Sequence, residues 1–424
     1  MDALRVRVYN VLFGDAILIA VPDAPPGGPS VLRHILIDVG NYAVNTRGGL
    51  DAVFGPVLRD VLQELDGRPL DLYIMTHEHM DHVQGLLYYQ QKVLKKEPLK
   101  DLLNVQYAWL TRSAHPNYYQ PGTAEYHPEA KKRMDLVHSF LDQAAQYFRA
   151  APGQETAWIR GLMAINDPQA TKDCVDLIRG FAPGNTHYVY HGLDMAGRHP
   201  FQEATFDIWA PEEDTSLYYG PFQPVTFGAV AGATPRSRPA LTHVEPPRGV
   251  DAGAFYNLVD RRRWGYGDSL LSIDSANNNT SIVFCLSWRG WKLLFAGDAE
   301  QRSWKEMDKR GFLKPVDFFK ISHHGSITGM PPEKRVAKVP QKLLEEILPR
   351  GGTDRYAVLS AHPDLQKLKT GEQDWTYTDV PEQAVLDEIR SRADLRQTVE
   401  VRDGGYIEYA FEGGARRVDI KMSQ

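Results

Sequence analysis

The sequence predicts an α/β fold, and three observations carry that expectation. Short apolar runs recur along the chain, and segments of helical spacing stand between them. Several of the runs end in glycine, aspartate or histidine, where a strand hands over to a loop.

The opening segment alternates through Val6, Val8, Asn10 and Leu12, and the apolar run Ala16–Ala20 follows Gly14-Asp15. A Pro/Gly turn, VPDAPPGGPS, leads into Ile35–Ile37, which ends in Asp38-Val39-Gly40. Val53, Val57, Leu58, Val61 and Leu62 share a helix face, and Leu70–Met75 is again a strand. Residues 87–200 form a mainly helical insertion, with helices at Lys131–Arg149 and Thr156–Ile165 after a short strand at Val105–Leu110. Strand patterns return in HYVYHG and ATFDIWAP, and 211–270 reads as a long Pro/Gly-rich loop within one domain spanning 1–424.

Beyond that loop the logic of the opening recurs, which suggests two related halves. Ser281–Leu286 and Lys292–Ala296 pair about Arg289-Gly290, and the second ends in Gly297-Asp298. Val316–Ile321 runs into Ser322-His323-His324-Gly325-Ser326, and Tyr356–Ser360 leads to His362. A short helix at Ala384–Arg390 and a final strand pair close the chain.

Composition narrows the class. With 424 residues, 42% hydrophobic and 24% charged, the chain can bury a large core, and no segment approaches the length of a membrane span. The first residues lack the pattern of a secretory leader, so a cytoplasmic location without a membrane partner is the expectation. Two cysteines, Cys174 and Cys285, exclude a disulfide framework and a cysteine zinc site. A net charge of −6 gives no global attraction to nucleic acid, although a local basic track would suffice for a nuclease. Oligomeric state is not readable.

Chemistry concentrates at three strand ends. His77-Glu78-His79-Met80-Asp81-His82 packs three imidazoles and a carboxylate into one loop, the donor set that Zn²⁺ and similar ions prefer. Gly297-Asp298 offers a carboxylate at a second strand end, and His323-His324 two imidazoles at a third. Together they supply enough nitrogen and oxygen for one or two Zn²⁺ ions, with Mn²⁺ as the alternative.

The order HxHxDH, GDA and HHGS resembles the metallo-β-lactamase superfamily of hydrolases. Within it the chain is similar to the branch containing the metallo-hydrolase domain of bacterial DNA-uptake (competence) channel proteins. Gly14-Asp15-Ala16, Leu36–Gly40, Asn278–Ser281, Gly297-Asp298 and Lys320–Ser326 carry the resemblance along with the histidine motif, over roughly residues 5–86 and 200–365. It implies a four-layer αβ/βα sandwich with metal ions at one rim. His77 and His79 would hold one ion, Asp81 and His82 the other, and Asp298 would bridge. His324 is favoured as the last ligand and His323 as the group that meets substrate, with the reverse assignment open. Asp38, Asn278, Asn279, Lys320, Ser326 and His362 are candidates for bracing ligands or meeting substrate.

The chain departs from the pattern at one place. Asn278 and Asn279 stand where most two-metal relatives carry a histidine, which would leave the His77/His79 position short of a ligand unless His115 or His191 completes it.

The reaction implied is hydrolysis by a metal-bound hydroxide that Asp81 orients. A phosphate-containing substrate, nucleic acid or nucleotide, is favoured; Lys320 and Arg261–Tyr266 could meet phosphates and bases. A small ester, lactone or amide is the alternative, and a non-catalytic metal-binding relic a third reading.

Overall fold

The computed structural model describes residues 3–24, 27–41, 49–95, 98–150, 157–220, 222, 266–336, 339–351, 354–361, 380–414 and 416–423. The described strands are β1 (Ala3–Tyr9), β2 (Ala16–Asp23), β3 (Val31–Val39), β4 (Leu72–Met75), β5 (Tyr107–Thr111), β6 (Thr186–Val189), β7 (Thr205–Ala210) and β8 (Val283–Trp288). They continue with β9 (Trp291–Phe295), β10 (Phe318–Lys320), β11 (Glu333–Val336), β12 (Val339–Lys342), β13 (Tyr356–Leu359), β14 (Asp394–Gln397), β15 (Tyr406–Glu412) and β16 (Val418–Met422). The helices are α1 (Gly49–Leu65), α2 (Met80–Tyr88), α3 (Leu99–Leu103), α4 (Pro128–Ala150), α5 (Ala157–Ile165) and α6 (Pro168–Arg179). They continue with α7 (Tyr266–Asn278), α8 (Gln301–Lys309), α9 (Leu344–Ile347) and α10 (Gln383–Arg390).

Two mixed sheets result. One has eight strands in the order β16-β15-β1-β2-β3-β4-β5-β6, the other six in the order β14-β13-β10-β9-β8-β7, and β11-β12 form a separate pair. β2 is buried along its whole length because both its faces are covered. Ile17 and Ile19 join Val6, Ile35 and Ile74 in a core that also contains Phe284, Leu293, Phe295 and Phe318 of the second sheet. On the other face of the first sheet, Leu18, Leu36 and Tyr73 meet Val57, Leu58 and Val61 of α1 and Val83 of α2. Leu294, Phe319 and Leu359 of the second sheet meet Trp304 of α8 and Ile389 of α10.

The segment 87–200 carries helices α3 to α6, and the strands expected at Val105–Leu110 and in HYVYHG are β5 and β6, which continue the first sheet in parallel from β4. One sequence expectation changes in extent: residues 266–270, read as the end of a long loop, instead begin α7. Leu270 and Ile273 of α7 pack with Phe140, Leu141 and Phe148 of α4 and Leu162 of α5 in a satellite core, so helix–helix packing holds a sequence rich in weak helix formers. Of the basic-aromatic stretch Arg261–Tyr266, residues 261–265 lie outside the described residues, as does His362.

Strands β3 and β4 run parallel, as do β9, β10 and β13, and their carboxyl ends gather at one rim. Gly40 makes the rim close-packed: a Cβ there would lie 2.1 Å from the Asp81 carbonyl carbon, so only glycine lets β3 end against the histidine loop.

Candidate metal centre

His77 follows β4 directly, His79 is the N-cap of α2, and Asp81 and His82 occupy its first turn. Asp298 comes one residue past Gly297, which turns the chain after β9 with φ +50°. His324 follows β10, also at positive φ (50°). Ser360 follows β13. All four imidazoles and both carboxylates are buried.

The groups around the rim fix the ring protons. Thr76 donates its only hydroxyl proton to Asp38 (2.6 Å), so its oxygen can only accept from His77 Nδ1 at 3.1 Å. Asn166 Nδ2 lies 3.0 Å from the Leu162 carbonyl and 3.2 Å from Asp274 Oδ1, both acceptors, which fixes the amide and leaves Asn166 Oδ1 facing His79 Nε2 at 3.1 Å. His82 Nδ1 donates to Asp38 Oδ2 (2.8 Å), and His324 Nδ1 donates to the Ser360 carbonyl (2.7 Å). In each ring the outer nitrogen therefore holds a proton and the inner one is turned inward, the orientation of metal-binding histidines.

Those inner nitrogens converge. His77 Nε2 and His79 Nδ1 face one another at 3.1 Å. Two nitrogens bound about 2.0–2.1 Å from a tetrahedral ion would stand about 3.3 Å apart. His324 Nε2 lies 3.2 Å from both Asp81 Oδ2 and Asp298 Oδ2, and His82 Nε2 lies 3.3 Å from Asp298 Oδ2. Asp81 Oδ1, His82 Nε2 and Asp298 Oδ1 are buried without a hydrogen-bond partner. Asp81, His82, Asp298 and His324 thus form a buried cluster able to chelate a metal ion.

Electrostatics point the same way. Burial opposes the charged forms of His324 and His82, yet Asp298 together with Asp81 and the other neighbouring carboxylates outweighs it, holding His82 well above the ordinary imidazole range and pushing His324 up to about 10. Burial also opposes the Asp298 carboxylate, but His324 and His82 hold its pKa well below normal. Burial lowers both His77 and His79, and the pull of Asp298 on His77 and of Asp81 on His79 does not offset it.

A second group, Asp274, Glu300 and His323, lies beside the first. Asn278 bridges it through Nδ2, 3.2 Å from Asp274 and 3.0 Å from Glu300, while its Oδ1 is buried without a partner. Burial, then Glu300, raise Asp274 to about 7, against the opposing pull of His323. His323 is one-fifth exposed, its Nδ1 3.1 Å from Thr328 Oγ1 and 3.4 Å from Glu300. It lines a cavity of about 410 Å³ together with Phe13, His79, Asp81, Asp298 and Ser326. Ser326 Oγ also caps its own turn through the Thr328 amide, 3.3 Å away.

Three sequence readings are corrected. Lys320 cannot meet a phosphate, because its ammonium is buried 2.6 Å from Asp15 Oδ2 and bonded to the Ile321 carbonyl. Asn279 is structural: its Oδ1 accepts from the Ser303 amide (2.9 Å) and its Nδ2 donates to the Ser275 carbonyl (2.7 Å), joining α7 to α8. Among the described residues neither His115 nor His191 joins a group of potential ligands; His115 packs on Tyr188 and His191 on Phe312. Thr76, Asn166, Asp274 and Glu300 escaped the sequence reading, since each is a single polar residue with no motif around it.

No family model matches the chain, and no curated protein matches it. Two mixed sheets interleaved with helices and a buried His/Asp cluster are consistent with a metallo-hydrolase fold in general and with a metal-dependent hydrolase. Among the described residues no helix is long and apolar enough to cross a membrane.

Proposed function

We propose that the protein is a metal-dependent hydrolase of the four-layer αβ/βα type, acting on a phosphodiester in nucleic acid or a nucleotide. One or two Zn²⁺ ions, or Mn²⁺, would be held by His77 and His79 on one side and by Asp81, His82 and His324 on the other, with Asp298 between. The observation that carries this reading is the convergence of four buried imidazoles and two buried carboxylates, with Asp81 Oδ1, His82 Nε2 and Asp298 Oδ1 left without a hydrogen-bond partner. Such ions supply Lewis acidity, activating water and neutralising charge on the attacked group.

The chain's own residues do the rest. Asp38, Thr76 and Ser360 hold the ring orientations. Asp81, with one oxygen unpartnered, is placed to orient the attacking water. His323, on the cavity wall, is placed to donate to the leaving oxygen. The resemblance to nucleic-acid-processing relatives supports the phosphodiester. Two buried free cysteines fit a reducing, cytoplasmic setting.

A second reading, hydrolysis of a small ester, lactone or amide, is favoured by the size of the 410 Å³ cavity and by Phe13, Ile165 and Leu271 on its wall. The test is turnover of DNA, RNA, bis(4-nitrophenyl) phosphate and a panel of esters and lactones with added Zn²⁺ or Mn²⁺. Cleavage of the phosphodiesters, lost in Asp81→Ala, is expected. Turnover confined to esters or lactones would replace the substrate class, and metal binding without any turnover would remove the enzyme reading.

A further inference from the structure

Asn166 is the last residue one would assign to a metal site from sequence. It follows α5, in the inserted helical segment, and is separated from His79 by more than eighty positions. Yet it is 5% exposed, and its Oδ1 is the only described group within hydrogen-bond distance of His79 Nε2. Its own placement is fixed from three sides. The Leu162 carbonyl and Asp274 accept from Nδ2, and Asn277 donates to Oδ1 at 3.2 Å. Leu162 belongs to the satellite core that joins α4, α5 and α7, so that core sets where the amide stands relative to the histidine loop.

The other three rings are braced differently. His77, His82 and His324 hold their outer protons on Thr76, Asp38 and Ser360, all at strand ends of the two sheets. His79 alone is braced by the insertion. An imidazole whose Nε2 proton has an acceptor keeps its Nδ1 lone pair, and Nδ1 is the atom that faces His77. Without that acceptor the proton can move to Nδ1, where it would stand between the two nitrogens that are to share an ion.

We propose that Asn166 is a positioning residue for the His77/His79 metal position, fixing His79 as the Nε2–H tautomer, and that the helical insertion thereby completes one half of the centre. The metal-affinity part rests on the metal-dependent reading above; the tautomer part does not.

The experiment uses the full chain. Long-range ¹H–¹⁵N spectra of histidine-labelled, metal-free protein should show His79 protonated on Nε2. In Asn166→Leu that tautomer should give way to a mixture. Zn²⁺ titration of the same variant should weaken one of two binding steps about 10–100-fold while the other stays within about twofold. Met307→Ala, which opens a cavity on the outer face of the second sheet, should lower the melting temperature and leave the His79 tautomer unchanged.

The proposal is overturned if both binding steps shift together or neither shifts, or if His79 keeps its Nε2 proton in Asn166→Leu. A wild-type spectrum with the proton on Nδ1 overturns it without any variant, should Asn166→Leu not fold. If wild-type protein binds no metal, the hydrolase reading fails, while the metal-free spectra still decide the tautomer.

Discussion

The two halves of the centre are built by different means. The Asp81/His82/Asp298/His324 half draws on strand ends of both sheets, and carboxylates face imidazoles across a buried space. The His77/His79 half contains two facing nitrogens whose burial outweighs the pull of nearby carboxylates, and its outer brace comes from a helical segment with a core of its own. The first half can hold a proton in place of a cation; the second can be neutral and wait. The lesson is that one histidine motif, six residues long, feeds two sites of different electrostatic character.

The largest test of that contrast is Asp298→Ala. It removes the carboxylate proposed to stand between the two sides, and it should lower metal content and bring any hydrolysis down by about a thousandfold or more. His77→Ala should lose metal on its own side only, read by metal analysis beside turnover. Equal loss in both variants would mean that the halves are not separable.

Next in size is Lys320→Met. It leaves Asp15 buried without its cation, which should cost about 3–5 kcal/mol in denaturant unfolding. A folded, stable variant with only a raised KM would restore the substrate role that the buried pair denies it.

A smaller effect, read by pH, probes the charged half and the acidic group beside it. In metal-free protein the folded pKa of His324, about 10, lies above its ordinary value of 6.5. Its contribution to stability is therefore full below about pH 6.5 and is lost as pH rises through 10. Asp274, raised to about 7 from 3.8, makes the folded state favour the protonated carboxyl, so stability also falls between about pH 4 and 7. The melting temperature in chelator should decline across both windows, and Zn²⁺ should abolish the upper decline by replacing the proton. A flat profile in chelator would contradict the charge arrangement. The smallest effect expected is none: His191→Ala should leave metal content unchanged, since its ring packs on Phe312.

Legibility in the sequence followed the range of the interactions. Strands such as Ile35–Ile37 and Lys292–Ala296 were readable because burial on both faces, or on one, writes itself as an apolar run. The candidate ligand histidines are readable because four donors fall within six residues of chain. Helix α7 was not: its Gly, Ser and Asn residues are poor helix formers, and what holds it is packing against α4 and α5, far away in sequence. Lys320 misled for a related reason. A cation beside a histidine pair looks functional until β10 turns it toward Asp15, more than three hundred positions earlier. Asn166, Asp274 and Glu300 become neighbours only through the tertiary fold, and nothing local marks them.

Among the described residues the groups that face into the centre are imidazole nitrogens and carboxylate oxygens, and both cysteines are buried elsewhere, Cys174 on α6 and Cys285 within β8. A site without sulfur has little means of preferring soft ions. Among first-row divalent metals it ranks them by the Irving–Williams series, which nearly all nitrogen and oxygen sites obey alike. The ion found in a preparation will then report the supply of the host cell and the growth medium as much as the protein's own preference. Trace-metal growth conditions become an experimental variable of the same standing as a mutation.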